Sequence, residues 1–184
     1  MNDSKISIRT ICITAIMTAI ICIMTAVPKI PIPLGYAHLG DAFIVLTVLF
    51  VGKKEGILAA GIGSAMADLL GGFPVWVIPT LIIKCIMAWI LGRIAYGKND
   101  ELYFFSFSTA MGVLASMAWM VAGYTIAGAI LYGGIAVGLT STPGLAVKAG
   151  MNMIIAYVVG SLFEKAHTRQ LFLRLKNTNY EVRG

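Results

Sequence analysis

The sequence predicts an all-α, polytopic membrane protein of six transmembrane helices with both termini in the cytoplasm. Three observations lead there. Charged residues number 14 basic and 8 acidic in 184, or 12% of the chain, where a soluble domain carries about 25%. Hydrophobic residues make up 59% and the mean hydropathy is +0.88, which excludes both a soluble surface and a disordered chain. Polar turns cut the apolar sequence into segments that approach the roughly 20 residues a bilayer span needs.

The first apolar segment covers about 10–27. It exceeds a signal-peptide core, and no small-x-small cleavage site follows it. Pro28, Pro31 and Pro33 end it and make the stretch KIPIPLGYAH a stiff outer loop rather than helix. A short second span covers 39–51, closed by the charged turn GKKEG. The third covers 57–70, with Gly61, Ala65 and Ala67 as small residues for close helix packing. Gly71-Gly72-Phe73-Pro74 breaks it. The fourth covers 75–96, with Pro79 in its first turn, where proline is tolerated. GKNDEL follows, then a long fifth span over 104–132. Gly133-Gly134 and Thr140-Ser141-Thr142-Pro143-Gly144 bound an outer loop before the sixth span, 145–163, and a polar, basic tail. The chain reads as one integral-membrane domain, 1–184, without linker or internal repeat.

Basic residues set the orientation. With cytoplasmic termini, Lys5, Arg9, Lys53, Lys54, Arg93, Lys98, Lys165, Arg169, Arg174, Lys176 and Arg183 all face inward, 11 of the 14. This also accounts for the net charge of +6. The anionic inner leaflet is the partner it suggests, and nucleic acid is not needed. Cys12, Cys22 and Cys85 fall in apolar runs at spacings that fit neither a disulfide framework nor a metal set, and read as small buried apolar residues.

Asp41, Asp68, Lys84 and Lys148 lie inside predicted spans, where each costs at least about 2.5–3.5 kcal/mol unless solvated or paired. All four fall in the outer half, at the level of His38, while the inner halves hold no acid or base away from their ends. This pattern fits an outward-facing polar cavity over an apolar base better than a channel or proton path. An Asp68–Lys84 ion pair between spans 3 and 4 is expected to be structural. Lys148 shares a helix face with Asn152, and Thr80 with Lys84, both at i,i+4; Lys148 and Asn152 are expected to contact a ligand. Trp76 reads as an interfacial belt residue. Trp119, deeper in span 5, fits lipid exposure, core packing or a stacking surface for a flat heterocycle. Ala15 and Ala19 form an A-x-x-x-A pair that, alone, fits internal packing as well as docking. No G-x-x-x-x-G-K-[ST], H-E-x-x-H, G-x-S-x-G or CxxC occurs, and no acid–base or nucleophile constellation suggests an enzyme.

The order A-x-x-x-A, IPIPLGYAHLGDA, GKKEGILAAGIGSAMADLLGG, VWVIPTLIIKCIMAWILG resembles the substrate-binding S components of energy-coupling factor (ECF) vitamin transporters. Gly40-Asp41, Ala67-Asp68 to Gly72, and Pro79–Lys84 carry the resemblance, which covers 10–95 well. It is most similar to the hydroxymethylpyrimidine/pyridoxine-type branch; the pantothenate branch is alike in layout. The resemblance implies a bacterial cell-membrane subunit without catalytic activity or cofactor. It would bind a small-molecule vitamin near the outer face, under the loop between spans 1 and 2, with spans 4 to 6 lining the pocket. Its implied partners are a transmembrane coupling protein (EcfT type) and two ATPase subunits (EcfA type), toward which it topples to release substrate. Ala15 and Ala19 match the family's docking motif. Trp119 and Tyr124 are candidates for the aromatic wall; His38, Thr80, Lys84, Lys148 and Asn152 for the polar contacts. Two lysines would also suit the carboxylate of pantothenate. From a different class, an ion-coupled secondary transporter is the competing expectation.

Overall fold

The computed structural model describes residues 7–32, 34–97 and 102–177; Lys5, Pro33, Lys98 and Arg183 lie outside them. Helix α1 (Ile8–Ala26) starts at Ser7, whose hydroxyl accepts from the Arg9 amide at 3.3 Å. The proline-rich loop is a two-stranded antiparallel hairpin, β1 (Ile30–Ile32) and β2 (Gly35–Ala37), with Ile30 paired to Ala37 and Pro31 to Tyr36. Proline excludes helix here as expected; the strand pairing is additional, and Leu34 sits at the turn with φ 61°.

Helix α2 (Gly40–Leu46) continues as a π-helical segment, Thr47–Val51, in which the Thr47 hydroxyl donates back to the Phe43 carbonyl at 2.7 Å. Every residue from Ile44 to Val51 is buried. Then come α3 (Lys53–Leu70), a 3₁₀ turn Pro74–Trp76, α4 (Val77–Ala95), α5 (Phe107–Leu131), α6 (Ile135–Lys165) and the short α7 (Thr168–Asn177).

Consecutive long helices pack on one another, α3 on α4, α4 on α5 and α5 on α6, and α1 packs on α3. The small residues of α3 make the last contact possible: a Cβ at Gly63 would stand 2.7 Å from the Thr18 carbonyl. The short α2 touches α1, α3, α4 and α6, so it is the axis around which the others stand. By contrast α1 buries only Ile21, Cys22 and Thr25; Ala15 and Ala19 are exposed.

Among the described residues, four helical segments are long and apolar enough to cross a membrane: Ile8–Ala26, Pro74–Ala95, Phe107–Leu131 and Ile135–Lys165. The other two expected spans differ for physical reasons. Gly40–Val51 is about 18 Å long, short of a 30 Å hydrocarbon core. Helix α3 carries Lys53, Lys54, Glu55 and Asp68. Two boundaries also change. Span 5 begins at Phe107, where Ser106 caps the helix by accepting from the Thr109 amide at 3.1 Å. The outer loop expected to run to Gly144 is only a tight turn at Gly133-Gly134. Helix α6 already begins at Ile135 and runs through Pro143. The Thr140 and Ser141 hydroxyls donate to carbonyls three residues back, at 2.6 and 2.8 Å, so residues that favour loops serve here inside a helix.

Candidate functional site

Helix α2 brings its first turn, and with it Asp41, between α4 and α6. One Asp41 carboxylate oxygen accepts from the Lys84 ammonium. The other lies 3.2 Å from the Lys148 ammonium. All three residues are essentially without solvent exposure. Lys84 therefore pairs with Asp41, correcting the expected pair with Asp68; Asp68 instead accepts from the Tyr36 hydroxyl at 3.0 Å. A single acid serving two bases limits the cost of burying three ionised groups in an apolar environment. Both ammonium groups also stand over the Tyr124 ring, at 5.0 and 5.2 Å from its centroid.

The loop into α2 is locked to the same cluster. The His38 Nδ1 accepts from the Gly40 amide at 3.0 Å, which leaves the proton of the neutral ring on Nε2; that nitrogen faces the Lys148 Nζ at 3.1 Å as donor to donor, a contact and not a hydrogen bond. Gly40 permits this because a side chain there would collide with the Thr25 hydroxyl. Asn152 holds the loop from α6. Its amide nitrogen donates to the His38 and Lys148 carbonyls at 2.8 and 2.9 Å, and its oxygen accepts from the Ala42 amide at 2.8 Å. These bonds use both donors and one of the two lone pairs of the oxygen, and the side chain is fully buried, so Asn152 is placed to position the loop.

Above the cluster lies a hollow of about 50 Å³, room for a few waters. Leu34 and Tyr36 cover it from the hairpin, Phe73 and Trp76 from the α3–α4 connection, and Tyr124 and Leu145 from α5 and α6. Its polar groups are His38, Asp68, Thr80, Ser141 and Lys148. The Tyr124 hydroxyl donates to Thr80 at 3.0 Å. Of the site residues read from the sequence, His38, Thr80, Tyr124 and Lys148 meet at this hollow. Lys84 and Asn152 do not line it; both are fully buried in the cluster beneath. Trp119 does not reach it: its indole donates to the Ile83 carbonyl at 3.1 Å and its ring packs on the apolar core. Trp76 stands at the hollow, where Trp119 was the expected indole. Rather than standing in an interfacial belt, Trp76 is buried, donates to the Tyr132 hydroxyl at 3.1 Å and packs on Tyr124. The 3₁₀ turn at Pro74 rotates it inward, a placement its sequence position alone does not reveal. Asp41, the centre of the cluster, was visible only as a buried acid without an assigned role.

Two groups here lie outside the helices. Burial, reinforced by the Lys148 ammonium, keeps the His38 imidazole well below its ordinary pKa. Burial and the Asp68 carboxylate raise the Tyr36 phenol, so it remains a donor. The site offers an aromatic wall, a neutral imidazole, a carboxylate and a lysine.

Comparison with known proteins gives three matches. The profile of the ECF-type riboflavin transporter S component family matches residues 5–166. An uncharacterised protein of Pyrococcus woesei is 30% identical over 153 residues, 78% of this chain and 99% of that protein. The thiamine precursor transporter HmpT of Lactococcus lactis is 27% identical over 136 residues, 72% of this chain and 74% of that protein. The family is one of transporter components, not of enzymes. The chain belongs to the ECF-type riboflavin transporter S component family.

Proposed function

We propose that this chain is the S component of an ECF-type importer that binds a one-ring vitamin precursor of the hydroxymethylpyrimidine type at the outer face. In this reading the chain is a single domain in the cell membrane. All six helices α1–α6 span, α2 and α3 shielded by their neighbours, and both termini are cytoplasmic. As in the family, a coupling protein of EcfT type and two ATPases of EcfA type drive uptake, and the exposed Ala15 and Ala19 on α1 meet the coupling protein.

The observation that carries the substrate class is the lining of the hollow. Its volume of about 50 Å³ is room for a few waters, so any ring must open it, and a single ring demands far less opening than the three fused rings and sugar chain of riboflavin. Tyr36, Trp76 and Tyr124 suit a flat ring, and Asp68 suits an amino substituent that donates. A carboxylate such as pantothenate would be repelled by Asp68, and both lysines are already drawn to Asp41. The HmpT similarity supports the same substrate class.

Titration calorimetry on the purified full chain tests this. Hydroxymethylpyrimidine should bind, and riboflavin, pantothenate and pyridoxine should not displace it at equal concentration. Tight riboflavin binding would overturn the substrate; mass spectrometry of the co-purifying molecule decides it independently. Uptake should require the ATPases and survive an ionophore. Accumulation that collapses with the ionophore but survives ATP depletion would favour a secondary transporter.

A further inference from the structure

The end of the bundle away from the hollow carries a second recess, of about 650 Å³, where α3 begins and α4 ends. From Thr80 to Arg93 along α4 is roughly 20 Å, so the two sites do not overlap. Trp89, Arg93 and Tyr96 recur at i, i+4 and i+7 on one face of α4. Lys53 and Ile57 face them from α3. Gly92 lets the lysine stem approach: a Cβ there would stand 3.0 Å from the Lys53 Cγ. The Lys53 ammonium lies 4.9 Å from the Tyr96 ring centroid, and the Arg169 guanidinium carbon, arriving from α7, 5.8 Å from the same centroid. Tyr96 is fixed by donating its hydroxyl to the Val48 carbonyl at 2.8 Å, and Arg169 by donating to the Leu102 carbonyl at 2.8 Å. Trp89 has 56% of its surface exposed, and Arg93 is exposed beside it.

We propose that this recess binds one anionic phospholipid, its phosphate held by Arg93 and Lys53 and its acyl chain lying along Trp89 and Ile57. A guanidinium fork and an ammonium are complementary to a phosphodiester. An exposed indole one turn deeper in a helix that crosses the membrane is at home where headgroup meets hydrocarbon. The apolar half of the wall distinguishes a lipid from free phosphate, which has no use for it.

Native mass spectrometry of the full chain, offered equal phosphatidylglycerol and phosphatidylcholine, tests it. The protein should retain phosphatidylglycerol about fivefold more, and the Lys53→Gln/Arg93→Gln double variant should retain the two equally. Equal retention by the parent, or an undiminished preference in the variant, overturns the proposal. So does removal of the lipid adduct by millimolar inorganic phosphate, which would reassign the site to a free anion. A second readout does not depend on the variant's folding. Brominated phosphatidylglycerol should quench the part of the fluorescence that Trp89→Phe removes, and more strongly than brominated phosphatidylcholine; equal quenching by both lipids overturns the assignment.

Discussion

On α4, Thr80 and Lys84 face the charged cluster, whereas Met87, Ala88 and Leu91, one and two turns further on, are packed without exposure among aliphatic side chains. Helix α6 repeats the pattern, with Ser141, Lys148 and Asn152 at one end and Ala156 and Gly160 at the other. So does α2 with its π-helical continuation, where Asp41 precedes Val45, Val48 and Leu49. The same three helices thus build two interiors held by different forces. At the hollow, each polar atom needs a particular partner, because an unmatched one costs its whole desolvation. In the opposite half only volume has to match. The polar half is therefore brittle in chemistry and the apolar half tolerant of it.

Asp41→Ala should be the most damaging change. It leaves Lys84 and Lys148 buried without their shared counter-charge, at about 3–5 kcal/mol, a large part of the 5–15 kcal/mol that a fold possesses. Thermal denaturation followed by size-exclusion should show the loss. A variant as stable as the parent would remove the carboxylate from its central role. Leu91→Ala probes the other half. The leucine is fully buried against Met87, Val113 and their neighbours, and truncation leaves a cavity. In a membrane the unfolded reference is not exposed to water in the same way, so packing dominates the loss. The cost should fall near the lower end of the Leu→Ala range, about 2 kcal/mol. Should Leu91→Ala prove worse than Asp41→Ala, the contrast between the halves would be reversed.

Lys148→Ala sharpens the comparison within the polar half. Asp41 keeps Lys84, so that ion pair survives, while the hollow loses its ammonium. Ligand affinity should fall about tenfold, or 1.4 kcal/mol, with a smaller change in melting temperature. Calorimetry that finds unchanged affinity would place the lysine in the scaffold alone.

The sequence made the division itself legible. Acids and bases in apolar runs are costly enough to be informative, and Asp41, Lys84 and Lys148 were each identifiable as buried charges near one level. What it did not reveal was which acid met which base. Asp68 and Lys84 sit on neighbouring helices and looked like partners. Asp41 wins because the short α2 lies at the centre of the bundle, and spacing along the chain carries no information about that. Distance along the span makes Trp119 the deeper indole and so the candidate for the ligand wall; in the fold Trp119 bonds the Ile83 carbonyl, and Trp76, beside the Pro74 turn, is the indole that packs on Tyr124. The helix through Thr140–Gly144 was hidden for a third reason. Its hydroxyls find carbonyl partners three residues back, which composition alone reads as loop.

The smallest effect concerns His38, which joins the hollow to the hairpin above it. Its folded pKa is depressed by burial and by the Lys148 ammonium, while in the unfolded chain it is near 6.5. Below that value the unfolded state therefore binds more protons than the folded one. Stability contributed by His38 is present above about pH 6.5 and is lost as the pH falls further. Protonation at Nδ1 would also forfeit the bond accepted from Gly40. Between pH 6.5 and 5.5 the loss should approach 1 kcal/mol, bounded by about 1.4 kcal/mol per pH unit for one proton. His38→Gln keeps a polar side chain at the position and cannot titrate, so its melting temperature should change less across this interval than the parent's. If both proteins lose stability equally, the acid sensitivity arises elsewhere, and the neutral imidazole is not the group that ties the two layers of the site together.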